Sequence, residues 1–256
     1  MPVLAGKVAI VTGTSSIGIG GAIARALARH GANLFLTSFE DETDRDRVVA
    51  DCRNLSPVEN DVRCFVYDFL EDGSAETMVA EAARLFDRVD ILVNNAAVRN
   101  RKRFGTYSGS EFDQLVAANI RAPFLASQAV VPLMRSQGGG RIIHIASQLG
   151  LVTANNQSLY SLTKAALISL TRSMALELSS DNIIVNAVSP GPIATGFLER
   201  SLVGHDDQRA AMIAKVPLGR LGTPDEVAEV VEFLATSEGT FLHGHNLVID
   251  GGYVVQ

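Results

Sequence analysis

Val8-Ala-Ile-Val-Thr-Gly-Thr-Ser-Ser-Ile-Gly-Ile-Gly-Gly21, running straight into Ala22 to His30, is the stretch that decides the fold. Residues 8–12 form a short β-branched run bounded by Lys7 and Gly13, the pattern of a parallel strand buried on both faces. Ala22 to His30 reads as a helix ended by Gly31. The glycines between them let the backbone turn tightly and approach a pyrophosphate. The helix N-terminus behind them offers free amides and the positive end of its dipole. A glycine-rich turn that binds nothing would have the same composition, so the loop taken alone leaves both readings open.

The rest of the chain repeats the strand-then-helix pattern. Asn33 to Ser38, Val62 to Asp68, Asp90 to Asn94, the apolar run ending at Ser147, and Ile183 to Val188 read as strands two to six. Helices are expected from about Ser74 to Phe86, from about Ser110 to Met134 with an interruption at Pro123, and through Tyr160 and Lys164 to about Ser179. The charged segment Glu40 to Arg53 reads as a loop with a short surface helix. Strands alternating with long helices predict an α/β, Rossmann-type, doubly wound parallel sheet with helices on both faces. No repeat, low-complexity tract or linker divides the 256 residues, so a single domain over 1–256 is expected. The least regular part, about 189–222, is expected to be a substrate loop.

Composition narrows the function classes. A hydrophobic fraction of 47% and a charged fraction of 20% are those of an ordinary soluble globule, and a net charge of −6 argues against nucleic acid or an anionic membrane as partner. Cys52 and Cys64 stand in no metal spacing, so no disulfide framework or zinc site is indicated and a cytoplasmic location is expected. No apolar run reaches membrane-spanning length, and the N-terminus carries no cleavage-site pattern.

Chemistry points to Ser147, Tyr160 and Lys164. Four residues apart on a helix, Tyr160 and Lys164 share one face, and an ammonium beside a phenol favours the phenolate. A tyrosine drawn down from about 10 toward neutrality can exchange a proton with a substrate. Ser147, at the end of a strand, would offer its hydroxyl to the same oxygen. An exposed helix face would show the same Tyr-x-x-x-Lys spacing, so these residues need support from elsewhere in the chain.

That support comes from order and spacing together. Thr12-Gly13 with Gly18-Ile-Gly20, Asp68, Asn94-Asn95-Ala96, Asn119, Ser147, Tyr160-Ser-Leu-Thr-Lys164, Pro190-Gly191-Pro-Ile193-Ala-Thr195 and Ile249-Asp-Gly-Gly252 make the chain resemble the short-chain dehydrogenase/reductase family over nearly its whole length. The resemblance implies hydride transfer between a nicotinamide cofactor and a ketone or secondary alcohol. Tyr160 is implied as general acid or base, with Lys164 lowering its pKa and binding the nicotinamide ribose. Ser147 would orient the carbonyl, and Asn119 would hold a water that links Lys164 to solvent. The implied cofactor set is Gly13, Ser15, Ser16, Gly18, Ile19, Ser38, Asp68, Asn94, Ala96, Tyr160, Lys164, Pro190, Gly191, Ile193 and Thr195. Within it, Asn94 resembles the adenosine-ribose wall, Asp68 the acceptor for the adenine amino group, and Ile193 and Thr195 the anchors of the carboxamide. Capping of a turn is the lesser alternative for Asp68.

Departures from the family pattern bear on what remains open. Four residues rather than three separate Gly13 from Gly18, so one must bulge, around Ser16-Ile17. Ala97 replaces the usual glycine after Asn-Asn-Ala. Ser38 and Phe39 stand where an acidic residue would select NAD. Its loss favours NADP(H) over NAD(H), although Glu40-Asp41 nearby would repel the extra phosphate and use of both cofactors remains open.

Substrate signals are sparse. Arg99-Asn-Arg-Lys-Arg103 suggests either an anionic substrate or a solvated loop. Phe197, Leu198, Leu202 and Val203 could form an apolar lid, and Gln148 and Leu149 could touch substrate. His243-x-His245 lacks a third ligand, so no metal is expected. A 3-oxoacyl-thioester reductase leads the substrate readings, with a sugar or polyol dehydrogenase as the alternative and a non-catalytic cofactor-binding scaffold as the alternative of another class. Apolar residues on more than one side of the helices carrying Asn119 and Tyr160 suggest a homotetramer or homodimer, with Gly251 to Gln256 near an interface.

Overall fold

Short β-branched runs become strands here because their neighbours on both faces are helices. A computed structural model describes residues 2–196, 198 and 206–255. Seven strands, β1 (Val8–Val11), β2 (Asn33–Thr37), β3 (Val62–Phe65), β4 (Ile91–Asn94), β5 (Gly140–Ile145), β6 (Ile183–Pro190) and β7 (Asn246–Ile249), make one sheet in the order β3-β2-β1-β4-β5-β6-β7. Every adjacent pair is parallel. The period of two along each strand divides the core between the faces. Ala9, Val11, Leu34 and Leu36 pack on one side with α1 (Ile19–Arg29), while Ile10, Phe35, Leu92 and Ile142 pack on the other with α3 (Ser74–Phe86). Each of these side chains is fully buried, contributing about 1.5–3 kcal/mol where it is large.

Between α1 and α3 lies α2 (Glu42–Leu55). The later helices are α4 (Gly109–Val116), α5 (Ala122–Ser136), α6 (Ser158–Leu178), α7 (Asp206–Ile213) and α8 (Pro224–Thr236). Three departures from the sequence reading have physical causes. The charged segment after β2 is a full 14-residue helix rather than a loop with a short one; Asp41 caps it by accepting the Asp44 N–H at 2.9 Å, and only Val48 and Cys52, one turn apart, are buried. So narrow an apolar stripe leaves little periodicity to read. The helix expected to break at Pro123 breaks just before it, in a π-helical turn, Ala117–Arg121. Pro123 has no N–H to bond the Asn119 carbonyl in the α pattern, so the turn widens. Finally, α8 and β7 extend the fold beyond the sixth strand, with β7 pairing Ala187–Pro190 of β6.

Strand order reverses at β1 and β4, so the loops leaving their C-terminal ends diverge and open a crevice. That crevice positions the candidate site. Among the described residues, no helix is long and apolar enough to cross a membrane.

Candidate active site

At the head of α1 the backbone is packed too tightly for side chains. A Cβ on Gly13, whose φ is +71°, would meet the Ala96 Cα at 2.7 Å. One on Gly20 would collide with the Gly13 carbonyl oxygen and lie 2.6 Å from Asn95 Nδ2. Asn95 ties the two loops together, donating to the carbonyls of Thr12 at 2.8 Å and Gly13 at 2.9 Å. The additional residue of the loop sits in a turn at Ser16-Ile17, closed by Gly18 N–H donating to Ser15 O at 3.2 Å. Ser16 is held by the Asp44 carboxylate, and Ile17 O accepts the Gly196 N–H at 3.2 Å. Gly18 caps α1 with no side-chain bond, and the first turn has no acidic residue, so its N–H groups remain open to an anion.

A cleft of about 1170 Å³ runs from this loop to the catalytic candidates. At one end it is lined by Ser38, Phe39, Glu40 and Asp68, in the middle by Gly13, Ser15, Gly18, Ile19 and Ala96, and at the far end by Ser147, Tyr160, Lys164, Pro190, Gly191, Ile193 and Thr195. These residues, drawn from distant parts of the chain, line one cleft. An elongated cleft with a glycine cradle at its waist and an uncapped helix end fits a dinucleotide. Ser16, Asn94 and Asn119 lie outside the lining. Asn94 Nδ2 turns into the core, 3.1 Å from Ser127 Oγ and 3.2 Å from His144 Nδ1, and Asn95 takes the place on the cleft wall. Asp68 accepts the Leu70 N–H at 2.8 Å, as a turn cap does, and also lines the cleft.

The end of the cleft that holds Ser147, Tyr160 and Lys164 rests on β5 and α6. Ser147 Oγ accepts the Leu149 N–H at 3.2 Å and hydrogen-bonds the Tyr160 side chain. Lys164 is buried, and its Nζ donates to Ile145 O at 2.8 Å. Burial pulls the Lys164 pKa down to about 8. Tyr160 differs from the expectation. Burial pushes its phenol above the ordinary value, and the opposing pull comes from the Arg99 charge and the Ser147 bond rather than from Lys164. Lys164 donates its ammonium to the β5 carbonyl with Nζ 5.7 Å from the Tyr160 ring centre, and the Arg99 guanidinium carbon stands 5.3 Å from it. Gln148, also buried on the cleft wall, has a side-chain oxygen with no protein partner.

Asn119, in the π-turn, holds the loop after β4. Its Oδ1 accepts the Val98 N–H at 2.8 Å, and its Nδ2 donates to Val98 O at 2.8 Å and to Thr163 Oγ1 at 3.1 Å. Beyond Val98 the basic run alternates. Asn100 and Lys102 turn to Glu111 of α4, while Arg99 and Arg101 line the cleft. The lining residues that the sequence reading did not single out include Gln157, Met212, Lys215 and Tyr253. They carry no motif and arrive from separate elements.

The irregular segment after β6 is pinned at both ends. Ile193 bridges Gly222, and Ala194 N–H donates to Gly222 O at 2.8 Å. Of the residues read as a lid, Leu198 is buried in a small cluster with Leu221 and Met212; Phe197, Leu202 and Val203 lie outside the described residues. His243 serves the fold, accepting Val185 N–H at 3.1 Å and donating to Ala175 O at 2.7 Å.

A parallel sheet with this order and a Ser-Tyr-Lys cluster at the end of its crevice define a nicotinamide-dependent oxidoreductase, and the chain belongs to the short-chain dehydrogenase/reductase family. The family model described as enoyl-(acyl carrier protein) reductase matches residues 13–254. Oxidoreductase UcpA of Salmonella typhimurium is 38% identical, the match covering 97% of this chain and 95% of that protein. The 3-oxoacyl-[acyl-carrier-protein] reductase FabG of Escherichia coli is 36% identical over 96% and 97% of the two chains. Among solved structures, a Beutenbergia cavernae chain described as an NAD(P)-dependent gluconate 5-dehydrogenase, with NADP bound at low occupancy, superposes at a TM-score of 0.90 with 31% identity, over 100% of both chains. The protein is an NAD(P)-dependent enzyme acting on CH–OH groups.

Proposed function

We propose that the chain moves a hydride between NADP(H), in preference to NAD(H), and a ketone or secondary alcohol. The observation that carries this reading is the meeting of Ser147, Tyr160 and Lys164 at one end of a cleft whose waist is the glycine cradle. When bound, the nicotinamide supplies or accepts the hydride. In reduction, Tyr160 gives its proton to the substrate oxygen as the carbonyl carbon is reduced; in oxidation it takes that proton back. Ser147 donates to the same oxygen and supports the charge that grows there. Lys164 returns the proton to Tyr160, a task suited to a group whose pKa burial brings to about 8. Asn119 is assigned the water that links Lys164 to solvent. Its side-chain amide is taken by Val98 and Thr163, so this assignment falls to its main chain.

The preference for NADP(H) is supported by buried Ser38, which puts a small hydroxyl rather than a carboxylate at the end of β2. It is also supported by the NADP found in the Beutenbergia relative. Acyl thioesters, acted on by the FabG relatives, and polyols are the first substrate classes to try. A homotetramer or homodimer is supported by Phe112, Phe124, Leu162 and Leu176, which leave apolar side chains exposed on α4, α5 and α6.

The test is titration of NADPH and NADH into wild type and Tyr160→Phe, followed by turnover of a ketone panel. NADPH should bind at least about tenfold tighter, or ~1.4 kcal/mol. The variant should keep that affinity while turnover falls by about 10²- to 10⁴-fold. Undiminished turnover would remove the mechanism, and tighter binding of NADH would reverse the cofactor assignment.

A further inference from the structure

One charged group in the cleft is not used by proton or hydride transfer. Arg99, half-buried, lies over the face of the Tyr160 ring with its guanidinium carbon 5.3 Å from the ring centre. It is held there by a donation from Nε to Oε1 of fully buried Gln157 at 3.2 Å. Its backbone neighbour Val98 is clamped by Asn119 on both its N–H and its C=O. A cation placed this deliberately would ordinarily be neutralised. Among the described residues no carboxylate pairs with Arg99, although Lys102 three positions on is paired with Glu111 at 2.6 Å. Among the described residues, the carboxylates on the cleft wall are Glu40 and Asp68, which follow β2 and β3 at the opposite end of the cleft from Tyr160. Arg101, also on the wall, adds a second positive charge beside Arg99.

Resting on the hydride-transfer reading above, we infer that Arg99 is the anion-binding residue of the substrate site, and that the substrate is a small oxo acid or hydroxy acid whose carboxylate lies within a few bonds of the reacting carbon. With Nε committed to Gln157, the two terminal nitrogens remain to grip a planar carboxylate in a two-pronged bond. Because the guanidinium stacks on the ring of the proton-transferring tyrosine, an anion seated on it is carried close to the reacting oxygen. Binding thus orients the ketone and selects for charge in a single contact. The basic run, read from sequence as an anionic-substrate site or a solvated loop, is divided by the fold, with alternate residues turned to α4 and to the cleft.

The test compares 2-oxobutanoate and 3-oxobutanoate with their methyl esters, using wild type, Arg99→Met and Arg99→Lys with NADPH and NADH. Wild type should prefer at least one acid over its ester by tenfold or more in kcat/KM. Arg99→Met should lower that preference ratio by about 10- to 100-fold, the loss expected when a charge-assisted bond is removed, and Arg99→Lys should restore part of it. The ratio is the readout because any effect of Arg99 on the tyrosine is shared by acid and ester and cancels. Calorimetric titration of the matching hydroxy acid into the cofactor complex should lose its heat in Arg99→Met. Esters and neutral ketones reduced as well as the acids by wild type, or a ratio unmoved in Arg99→Met, would overturn the inference and leave the hydride-transfer reading standing. A phosphorylated ketone preferred to both would overturn the carboxylate assignment. No turnover of acid, ester or neutral ketone with either cofactor would defeat the hydride-transfer reading itself, and this inference with it.

Discussion

Replacing Asn119 by leucine keeps nearly the same volume while removing every hydrogen bond its side chain makes. Three bonds are lost, to Val98 N–H, Val98 O and Thr163 Oγ1, at 2.8, 2.8 and 3.1 Å. The position is 1% exposed, so solvent has little access from that side. Thr163 retains its own donation to Tyr160 O at 2.8 Å, so the cost falls mainly on the two backbone groups of Val98. At about 1–1.5 kcal/mol for each orphaned group, plus a smaller loss at Thr163, the variant should be destabilised by about 2–4 kcal/mol. For a chain of this size that corresponds to roughly 4–16 °C in Tm. The measurement is urea unfolding at one fixed protein concentration, since association would otherwise shift the midpoint. Val98 carries Arg99 into the cleft, so kcat/KM should fall even at temperatures where the variant is fully folded. A stability loss under about 1 kcal/mol with unchanged kcat/KM would refute the reading that Asn119 braces the loop after β4.

Two further expectations rest on other parts of the fold. Burial would raise the pKa of Asp90, but bonds from Arg88, the Val8 N–H and Lys7 outweigh it and hold the carboxyl below its ordinary value. A depressed carboxyl contributes stability that is present above the ordinary carboxylate pKa and is lost as pH falls through the folded one. Asp90→Asn should therefore cost about 1–3 kcal/mol at pH 7, with the gap to wild type closing below about pH 4; equal gaps at pH 7 and pH 3 would contradict this. Size-exclusion with light scattering should find a dimer or tetramer, and a monomer at micromolar concentration would leave the exposed side chains of α4, α5 and α6 without the partner proposed for them.

Local chemistry made much of this protein legible before any coordinates. Val8 to Thr12, the glycine loop and the helix behind it read directly as strand, turn and helix, because β-branched runs, glycine φ freedom and helical periodicity act over a few residues. The expected bounds of α3 coincide with the helix observed at Ser74–Phe86. Ser147, Tyr160 and Lys164 could be found by spacing because two of them share a helix turn. The helix α8 also had a readable start that went unused, Thr223-Pro-Asp-Glu226, a capping box with proline at its first position.

Other features depend on contacts between distant segments and have no local signature. Ser16 meets Asp44, Asn95 meets Gly13, and Arg99 meets Tyr160 across separations of 28, 82 and 61 residues, distances that only the parallel sheet closes. Lys164 sits one helical turn from Tyr160, as its spacing required, yet its ammonium goes to Ile145 O because a buried charge must find a hydrogen-bond partner. Asn94 and Asn95 are adjacent in the chain and opposite in fate, one in the core and one on the cleft, because successive side chains at the end of a strand point to opposite faces. Periodicity and residue type could therefore specify the elements and the reacting groups. That Arg99 joins Lys164 over the tyrosine ring was decided by packing.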